Sequence, residues 1–256
     1  DDAQRVYICS HNPLTGNQGG DARSTATAAT PRVLHHCRSR ARWRGAQRLG
    51  NRLVAWDTAR MHRTIFDTPV VSTLLRAGSV AFLHFTGWTV EGRLPPGTAK
   101  CVLIAAPHTS NWDLPYTLMV AFSLRLHIYW MGKQSLFNPP FRGLMMWLGG
   151  LPVNREKSNN LVAASVAAIK AASGPLQLTV APEGSRSKAR YWKTGFYHIA
   201  IGAQVPIVMA YLDYGQKRGG LGPVFQPTGN LDADMAAIKA FYAPFKGKNS
   251  DQFHAD

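Results

Sequence analysis

A histidine and an aspartate stand five positions apart in the stretch APHTSNWDLP, directly after the apolar run CVLIAA: they are His108 and Asp113. Histidine is the side chain best suited to accept a proton at neutral pH, and a nearby carboxylate can hold the imidazole ring in the productive tautomer. Chance also produces this spacing in a chain with nine histidines. The rest of the sequence must therefore distinguish a catalytic pair from a coincidence.

Other apolar runs end in the same way, immediately before charged or small polar residues. The runs LHIYWMG, LPVN and LQLTVAP are followed by Lys133, Arg155 and the stretch Glu183, Gly184, Ser185, Arg186. In open α/β sheets, ligand sites form beyond the carboxyl ends of the strands. We therefore expect these residues to meet His108 and Asp113 at one sheet edge, with the three cations available to bind a phosphate.

Short apolar runs alternate with helical segments from residue 61 onward. This alternation predicts an α/β domain over residues 61–256, with a mixed, largely parallel sheet flanked by helices. The predicted strands are WTVEGRL, KCVLIAAP, LHIYWMGK, LPVNR, LQLTVAP and VPIVMAYLDY, and two predicted helices are SNNLVAASVAAIKAAS and NLDADMAAIKAFYAPF. A further helix is expected to begin at Thr109 or Ser110 as its N-cap, which places Asp113 about one turn inside it.

The stretch TPVVSTLLRAGSVAFLHFTGW predicts an N-terminal amphipathic helix. Its apolar face consists of Val70, Val71, Leu74, Leu75, Gly78, Ala81, Phe82 and Phe85. Such a helix packs on a protein core or lies in a membrane interface, and the sequence leaves both alternatives open.

Residues 1–60 differ in composition from the remainder of the chain. They are rich in Arg, Ala, Gly, Ser and Thr and contain few large apolar residues, which predicts a disordered basic extension. An RNA-binding arm is an alternative, because arginine-rich segments bind phosphate backbones. A second alternative is that translation properly begins near Met61 and that this extension is not native.

Charge and missing motifs narrow the class of protein. The net charge of +15 implies attraction to nucleic acid, lipid headgroups or phosphorylated substrates. The three cysteines lack CxxC spacing, so we expect neither a disulfide framework nor a structural zinc site. The chain has no run of eighteen apolar residues, no G-x-S-x-G, no H-E-x-x-H, and neither glycine-rich nucleotide motif. Transmembrane, zinc-protease and nucleotide-binding classes therefore lack their usual marks.

Several stretches resemble a known family in order along the chain. HTSNWD resembles the His-x4-Asp motif of the glycerolipid acyltransferases, which include bacterial 1-acylglycerol-3-phosphate acyltransferases. KQSLFNPPFRGLMMWLGGLPVNR, APEGSRS, YWKTGFYHIAIGA and VPIVMA are similar to the later blocks of that family. Ser185 stands where the family usually has Thr, and Pro107 stands where Asn is common, which is consistent with a branch that uses a different acceptor.

The resemblance implies transfer of a fatty acyl group from acyl-CoA or acyl-carrier protein to a lysophospholipid hydroxyl, most simply that of 1-acylglycerol 3-phosphate. His108 would deprotonate the hydroxyl and Asp113 would orient His108, with no acyl-enzyme and no cofactor or metal. The implied substrate-binding residues are Glu183, Gly184, Ser185, Arg186, Arg155 and Lys133. Main-chain N–H groups near Gly184 would be candidates for oxyanion stabilisation.

The resemblance also implies a peripheral protein at the cytoplasmic face of a membrane, with no nucleic-acid partner. Alternatives remain at this stage: an ornithine- or inositol-based acceptor, a non-catalytic lipid-binding protein, or a nucleic-acid-binding module that uses the +15 charge. Lys133 as a solvated lysine, and Arg155 paired structurally with Glu183, are the corresponding non-functional interpretations.

Overall fold

A computed structural model describes residues 62–153, 158–187 and 191–253, except for the side chains of residues 158–160. The predictions made for residues 1–60, and the predicted site residue Arg155, lie outside these ranges.

Seven strands in the described part of the chain form one sheet. They are β1 (Thr89–Glu91), β2 (Lys100–Ala106), β3 (Ile128–Lys133), β4 (Gly150–Val153), β5 (Leu176–Val180), β6 (Ile207–Asp213) and β7 (Arg218–Phe225). Their order is β1-β7-β6-β2-β5-β3-β4. The five strands from β6 to β4 are parallel, whereas β7 runs antiparallel to β6 and parallel to β1. The predicted mixed, largely parallel sheet is confirmed.

Strand β7 is an element that the sequence did not predict, because glycine is normally depleted in strands. In β7, however, the glycines allow close approach of the neighbouring backbone. A Cβ atom added at Gly220 would collide with the carbonyl of Glu91 on β1, and one added at Gly222 would collide with the ring of Phe241. Glycine therefore fits a strand held tightly between two neighbours.

Six helices accompany the sheet in the described ranges. They are α1 (Pro69–Phe85), α2 (Asp113–Ser123), α3 (Arg142–Trp147), α4 (Ser158–Ala171), α5 (Gly195–Ala203) and α6 (Leu231–Tyr242). Because side chains alternate along β2, Val102 and Ile104 share one apolar cluster with residues of α4, α5 and α6. Cys101 and Leu103 point to the other face, where they share a cluster with residues of α2. Burial raises the pKa of the Cys101 thiol to about 12, as befits a small apolar core residue.

Helix α1 turns its predicted apolar face outward. Val70 is 71% exposed, Leu74 is 67% exposed and Phe85 is 86% exposed, whereas the buried residues of this helix are Ser79 and Leu83. The described residues include no helix with the length and apolar character needed to span a bilayer. The amphipathic helix is confirmed, and most of its apolar stripe does not pack on the core.

Candidate active site

His108 and Asp113 form a hydrogen-bonded pair in the loop that joins β2 to α2. The imidazole Nδ1 lies 3.0 Å from Oδ2 of Asp113. The His108 side chain is 31% exposed, and that of Asp113 is only 5% exposed. Among the described residues none hydrogen-bonds the other ring nitrogen, Nε2. The carboxylate therefore fixes one side of the ring and leaves the other side available for a proton.

The Asp113 carboxylate also accepts hydrogen bonds from the main chain of the preceding loop. Its Oδ2 accepts hydrogen bonds from the main-chain N–H groups of Thr109 and Ser110, each at 2.8 Å. Helix α2 begins at Asp113, so the prediction that this residue lies one turn inside a helix capped by Thr109 or Ser110 is wrong. A short acidic side chain can reach back to amides three and four residues earlier, which competes with extension of the helix. The same contacts aim the carboxylate at the imidazole.

Tyr214 is a site residue that sequence reasoning missed. It follows β6 directly, and its hydroxyl donates a hydrogen bond of 3.0 Å to Oδ1 of Asp113. Burial, together with the Asp113 charge, raises the pKa of Tyr214 well above its usual range, so the hydroxyl remains a donor. Its ring packs edge-on against Trp88, with 5.1 Å between ring centroids. The position of Tyr214 in the sequence could have revealed this role, because residues at the carboxyl ends of neighbouring parallel strands, here β6 and β2, lie close enough to contact one another.

Glu183 contacts the loop that carries His108. Its side chain is buried, and Oε1 accepts a hydrogen bond of 2.9 Å from the main-chain N–H of His108. Its other oxygen, Oε2, is buried and has no hydrogen-bond partner among the described residues. Burial raises the pKa of Glu183 to about 7, although the hydrogen bond from His108 opposes this rise. The structure therefore places Glu183 against the backbone of His108, where it positions the loop.

Replacing Glu183 by Gln is expected to change how stability depends on pH. Because the folded pKa of Glu183 is raised from 4.5 to about 7, the folded state is favoured below pH 4.5 and loses this advantage as pH rises through about 7. Glu183→Gln keeps a carbonyl acceptor for the His108 N–H and carries no charge to desolvate. We expect the variant to exceed the parent in free energy of unfolding by on the order of 2 kcal/mol near pH 8, and to show no gain near pH 4.

Urea unfolding at the two pH values measures this difference. The prediction is wrong if the free energies of unfolding of Glu183→Gln and of the parent differ by the same amount at both pH values. Titration of the Glu183 carboxyl would make that difference depend on pH. Asp251→Asn is the control, because it removes the charge of an exposed carboxylate that folding does not bury.

The loop after β5 brings a cation to the His–Asp pair. The Arg186 guanidinium donates a hydrogen bond to Oδ1 of Asn111, a residue that the sequence analysis did not single out and that lies between His108 and Asp113. Gly184 has a φ of +66°, and a Cβ atom there would lie 2.8 Å from the Lys193 side chain. Glycine is therefore favoured at this turn. The Gly184 N–H itself donates to the Ala181 carbonyl at 3.2 Å, and oxyanion stabilisation by main-chain N–H groups near Gly184 stays a prediction.

A cavity of about 530 Å³ runs from the His–Asp pair between α2 and the sheet. Its predicted polar lining residues are His108, Asp113, Lys133, Ser185 and Arg186. Its inner wall is apolar and includes Leu103, Leu114, Ala121, Leu126 and Ile128. The structure thus brings five of the eight predicted residues to one cavity; Glu183 and Gly184 lie in the adjoining loop, and Arg155 is outside the described ranges.

The cavity combines a base, cations at its mouth and an apolar channel. In the ranges that the structure describes, His, Cys, Asp and Glu side chains form no group of three or more suited to hold a metal ion. Fold and site together define an α/β protein able to perform general base catalysis on an anionic, amphiphilic substrate.

Part of the chain matches the model of a known protein family. Residues 88–212 match the family model described as Acyltransferase. These comparisons confirm, for this segment, the predicted resemblance to the glycerolipid acyltransferases.

Curated relatives share this segment. The chain is 30% identical over 131 residues to the 1-acyl-sn-glycerol-3-phosphate acyltransferase of Haemophilus influenzae, covering 48% of this chain and 52% of that protein. It is 34% identical over 131 residues to the enzyme of that name from Salmonella typhimurium, covering 48% of this chain and 51% of that protein. The chain thus spans about half the length of the curated relatives it matches.

A solved structure is also similar, namely that of the 1-acyl-sn-glycerophosphate (LPA) acyltransferase PlsC from Thermotoga maritima. The TM-score is 0.48 at 14% sequence identity, and the match covers 80% of this chain and 91% of the other.

Proposed function

We propose that the protein transfers a fatty acyl group from acyl-CoA or acyl-carrier protein to the free hydroxyl of 1-acylglycerol 3-phosphate. The observation that carries this proposal is the His108–Asp113 pair at the mouth of an apolar channel, with Nδ1 and Oδ2 3.0 Å apart. The names of the curated relatives support the choice of acceptor.

The proposed chemistry follows from the two ring nitrogens of His108. Because the Asp113 carboxylate accepts the Nδ1–H, Nε2 carries the lone pair that accepts the proton of the acceptor hydroxyl. The acceptor oxygen then attacks the thioester carbonyl, a C–O bond forms and the C–S bond breaks. The proton passes from Nε2 to the departing thiolate, so neither an acyl-enzyme nor a cofactor is needed.

Binding of an anionic lipid uses both parts of the cavity. Arg186 and Lys133 lie at its mouth and would pair with the acceptor phosphate, and the sequence adds Arg155 as a third cation. The apolar wall formed by β2, α2 and the start of β3 would take an acyl chain. Asn111 would hold the Arg186 guanidinium next to the reacting hydroxyl.

A transfer assay tests the proposal. The protein is incubated with radiolabelled acyl-CoA or acyl-carrier protein and with lysophosphatidate or ornithine- and inositol-based acceptors, and the lipid product is identified. We expect phosphatidate from lysophosphatidate. Product from another acceptor alone would redirect the substrate assignment, and no product from any pair would overturn the proposed activity.

Removing the Tyr214 hydroxyl is expected to slow transfer while preserving the fold. Tyr214→Phe deletes the hydrogen bond to Oδ1 of Asp113, and a hydrogen bond to a charged group contributes about 1.5 kcal/mol, or roughly a tenfold change in rate. We expect kcat to fall by about that factor with KM little changed. Tyr191→Phe, which removes a hydroxyl from a residue 71% exposed, is the matched control. Equal kcat in the two variants would exclude a positioning role for Tyr214.

We further propose that the protein binds peripherally to the cytoplasmic face of a membrane through α1. The exposed Val70, Leu74, Phe82 and Phe85 give this helix an outward apolar stripe, as an interfacial helix requires. The double substitution Leu74→Ser and Phe85→Ser is expected to weaken flotation with phospholipid vesicles by about tenfold or more, given the apolar area removed. Thr73→Ser, on an exposed polar position of α1, is the control, and undiminished flotation of the double variant would contradict the proposal.

A further inference from the structure

A second open cavity, of about 720 Å³, lies at the opposite end of the sheet from His108. The amino ends of β2, β5 and β3 border it through Ala99, Pro175 and His127. Its other walls come from α1, from the loop after β1 and from the end of α2. Leu126 lines both cavities, and the other residues that line this one are not part of the cavity at His108.

Three arginines from three different elements line this cavity. Arg76 lies on α1, Arg93 follows β1 and Arg125 follows α2. Within the described ranges these guanidinium groups make neither an ion pair nor a hydrogen bond. Asp67 does not line the cavity, and its carboxylate is already bonded to the Thr64 N–H at 2.7 Å. The cavity therefore concentrates positive charge, and no acidic side chain is among its described lining residues.

The Nε atom of Arg76 shows that this charge lacks a partner. It is buried and has no hydrogen-bond acceptor in the part of the chain that the structure describes. Burying a charged donor without a partner is unfavourable, and such an atom indicates an acceptor that the described residues do not supply. The hydroxyls of Ser72 and Thr73, which also line the cavity, donate to the Pro69 carbonyl instead. The arginines are thus the donors left for a ligand.

Arg125 occupies a backbone position that favours glycine. Helix α2 ends with the Leu126 N–H bonded to the Ala121 carbonyl at 2.9 Å and the Arg125 N–H bonded to the Phe122 carbonyl at 3.2 Å. This pairing places Arg125 in the left-handed region, with a φ of 56°. Glycine is the usual residue at this point of such a motif, and a residue with a side chain costs about 1 kcal/mol there. The side chain at this unfavourable backbone position is the Arg125 guanidinium, at the edge of the cavity.

We propose that this cavity is a second binding site, specific for a phosphate group. Guanidinium forks match the paired oxygens of phosphate, and three arginines, from α1, the loop after β1 and the end of α2, line this cavity. The phosphate belongs to an anionic lipid headgroup or to a free phosphorylated metabolite. Both present the same chemistry to the arginines.

Binding of inorganic phosphate tests the site directly. The protein with Arg186→Gln, Lys133→Gln and Arg155→Gln is the reference, because the three cations proposed to bind the acceptor phosphate are removed and binding there no longer obscures the measurement. We expect calorimetry to show saturable phosphate binding to this reference. We expect Arg125→Gly in that background to weaken affinity roughly tenfold, since one charge-assisted hydrogen bond contributes about 1.5 kcal/mol.

Arg125→Gly also controls for folding. Because glycine suits the backbone at residue 125, the variant should unfold at the same or higher urea concentration than its reference. Arg76→Gln should weaken phosphate binding in the same way. Lys170→Gln removes one charge from an exposed residue of α4 and should leave phosphate binding unchanged.

Vesicles distinguish the two sources of phosphate. Flotation is compared between vesicles of phosphatidylcholine alone and vesicles that also contain phosphatidic acid. Loss of the phosphatidic-acid effect in Arg125→Gly would assign the site to a lipid headgroup. A loss limited to inorganic phosphate would assign it to a free metabolite. If Arg125→Gly leaves both inorganic-phosphate and vesicle binding unchanged, the proposal is wrong.

Discussion

The His108→Ala variant is expected to lose acyl transfer by a factor on the order of 100 to 10,000 while remaining folded. In the proposed mechanism, Nε2 is the group that accepts the hydroxyl proton, and alanine offers no substitute. The His108 side chain is 31% exposed, so its removal leaves no cavity in a packed core. The hydrogen bond from its main-chain N–H to Glu183 does not depend on the imidazole. We therefore expect kcat to fall with little change in the free energy of unfolding.

Steady-state transfer from acyl-CoA to lysophosphatidate measures this effect. His198→Ala is the matched control, because His198 is an exposed histidine on α5, outside the cavity lining. A His108→Ala protein that turns over at the parent rate would show that the base lies elsewhere, even if the transferase activity itself is confirmed.

The strand-tip rule predicted the basic residues among those described as lining the cavity. His108 and Arg186 follow β2 and β5, and Lys133 is the last residue of β3. These three strands are parallel neighbours, so the positions of the residues at one edge follow from the strand order alone. Knowing which runs are strands was sufficient, because parallel strands deliver their carboxyl ends to the same edge.

The finer geometry of the site depends on contacts that no local pattern encodes. Tyr214 reaches Asp113 across 101 positions, and Glu183 reaches the His108 N–H across 75. Asn111 meets Arg186 only because two loops cross there. These pairings are set by the order of the strands in the sheet, and β7, which borders β6, was missing from the predicted set.

Helix α1 shows a different limit of sequence analysis. The spacing of its apolar residues predicts a stripe but does not state what the stripe contacts. The structure turns Leu74 and Phe85 outward and buries Ser79 and Leu83. Only the packing of α1 beside α2 decides between the core and the membrane interface, which is why both alternatives were open.

Replacing Asp113 by Asn is expected to be almost as damaging to transfer as losing His108, and for a different reason. The carboxylate accepts hydrogen bonds from His108, Thr109 and Ser110 at Oδ2, and from Tyr214 at Oδ1. An amide can place its oxygen toward the first three donors and its NH₂ group toward the tyrosine oxygen. The loop geometry therefore survives in Asp113→Asn, and the negative charge beside the imidazole is what disappears.

That charge stabilises the imidazolium that forms when His108 takes up the hydroxyl proton. We expect kcat to fall roughly 100- to 10,000-fold in Asp113→Asn, with KM and the free energy of unfolding little changed. Asp232→Asn, at an exposed residue of α6, is the matched control. Asp113→Ala should lose the same activity and also destabilise the fold by on the order of 2 to 3 kcal/mol, because the buried donors of Thr109 and Ser110 lose their acceptor. Full activity in the Asn variant would show that Asp113 only shapes the loop, whereas inactive but stable protein would assign the carboxylate charge itself to proton transfer.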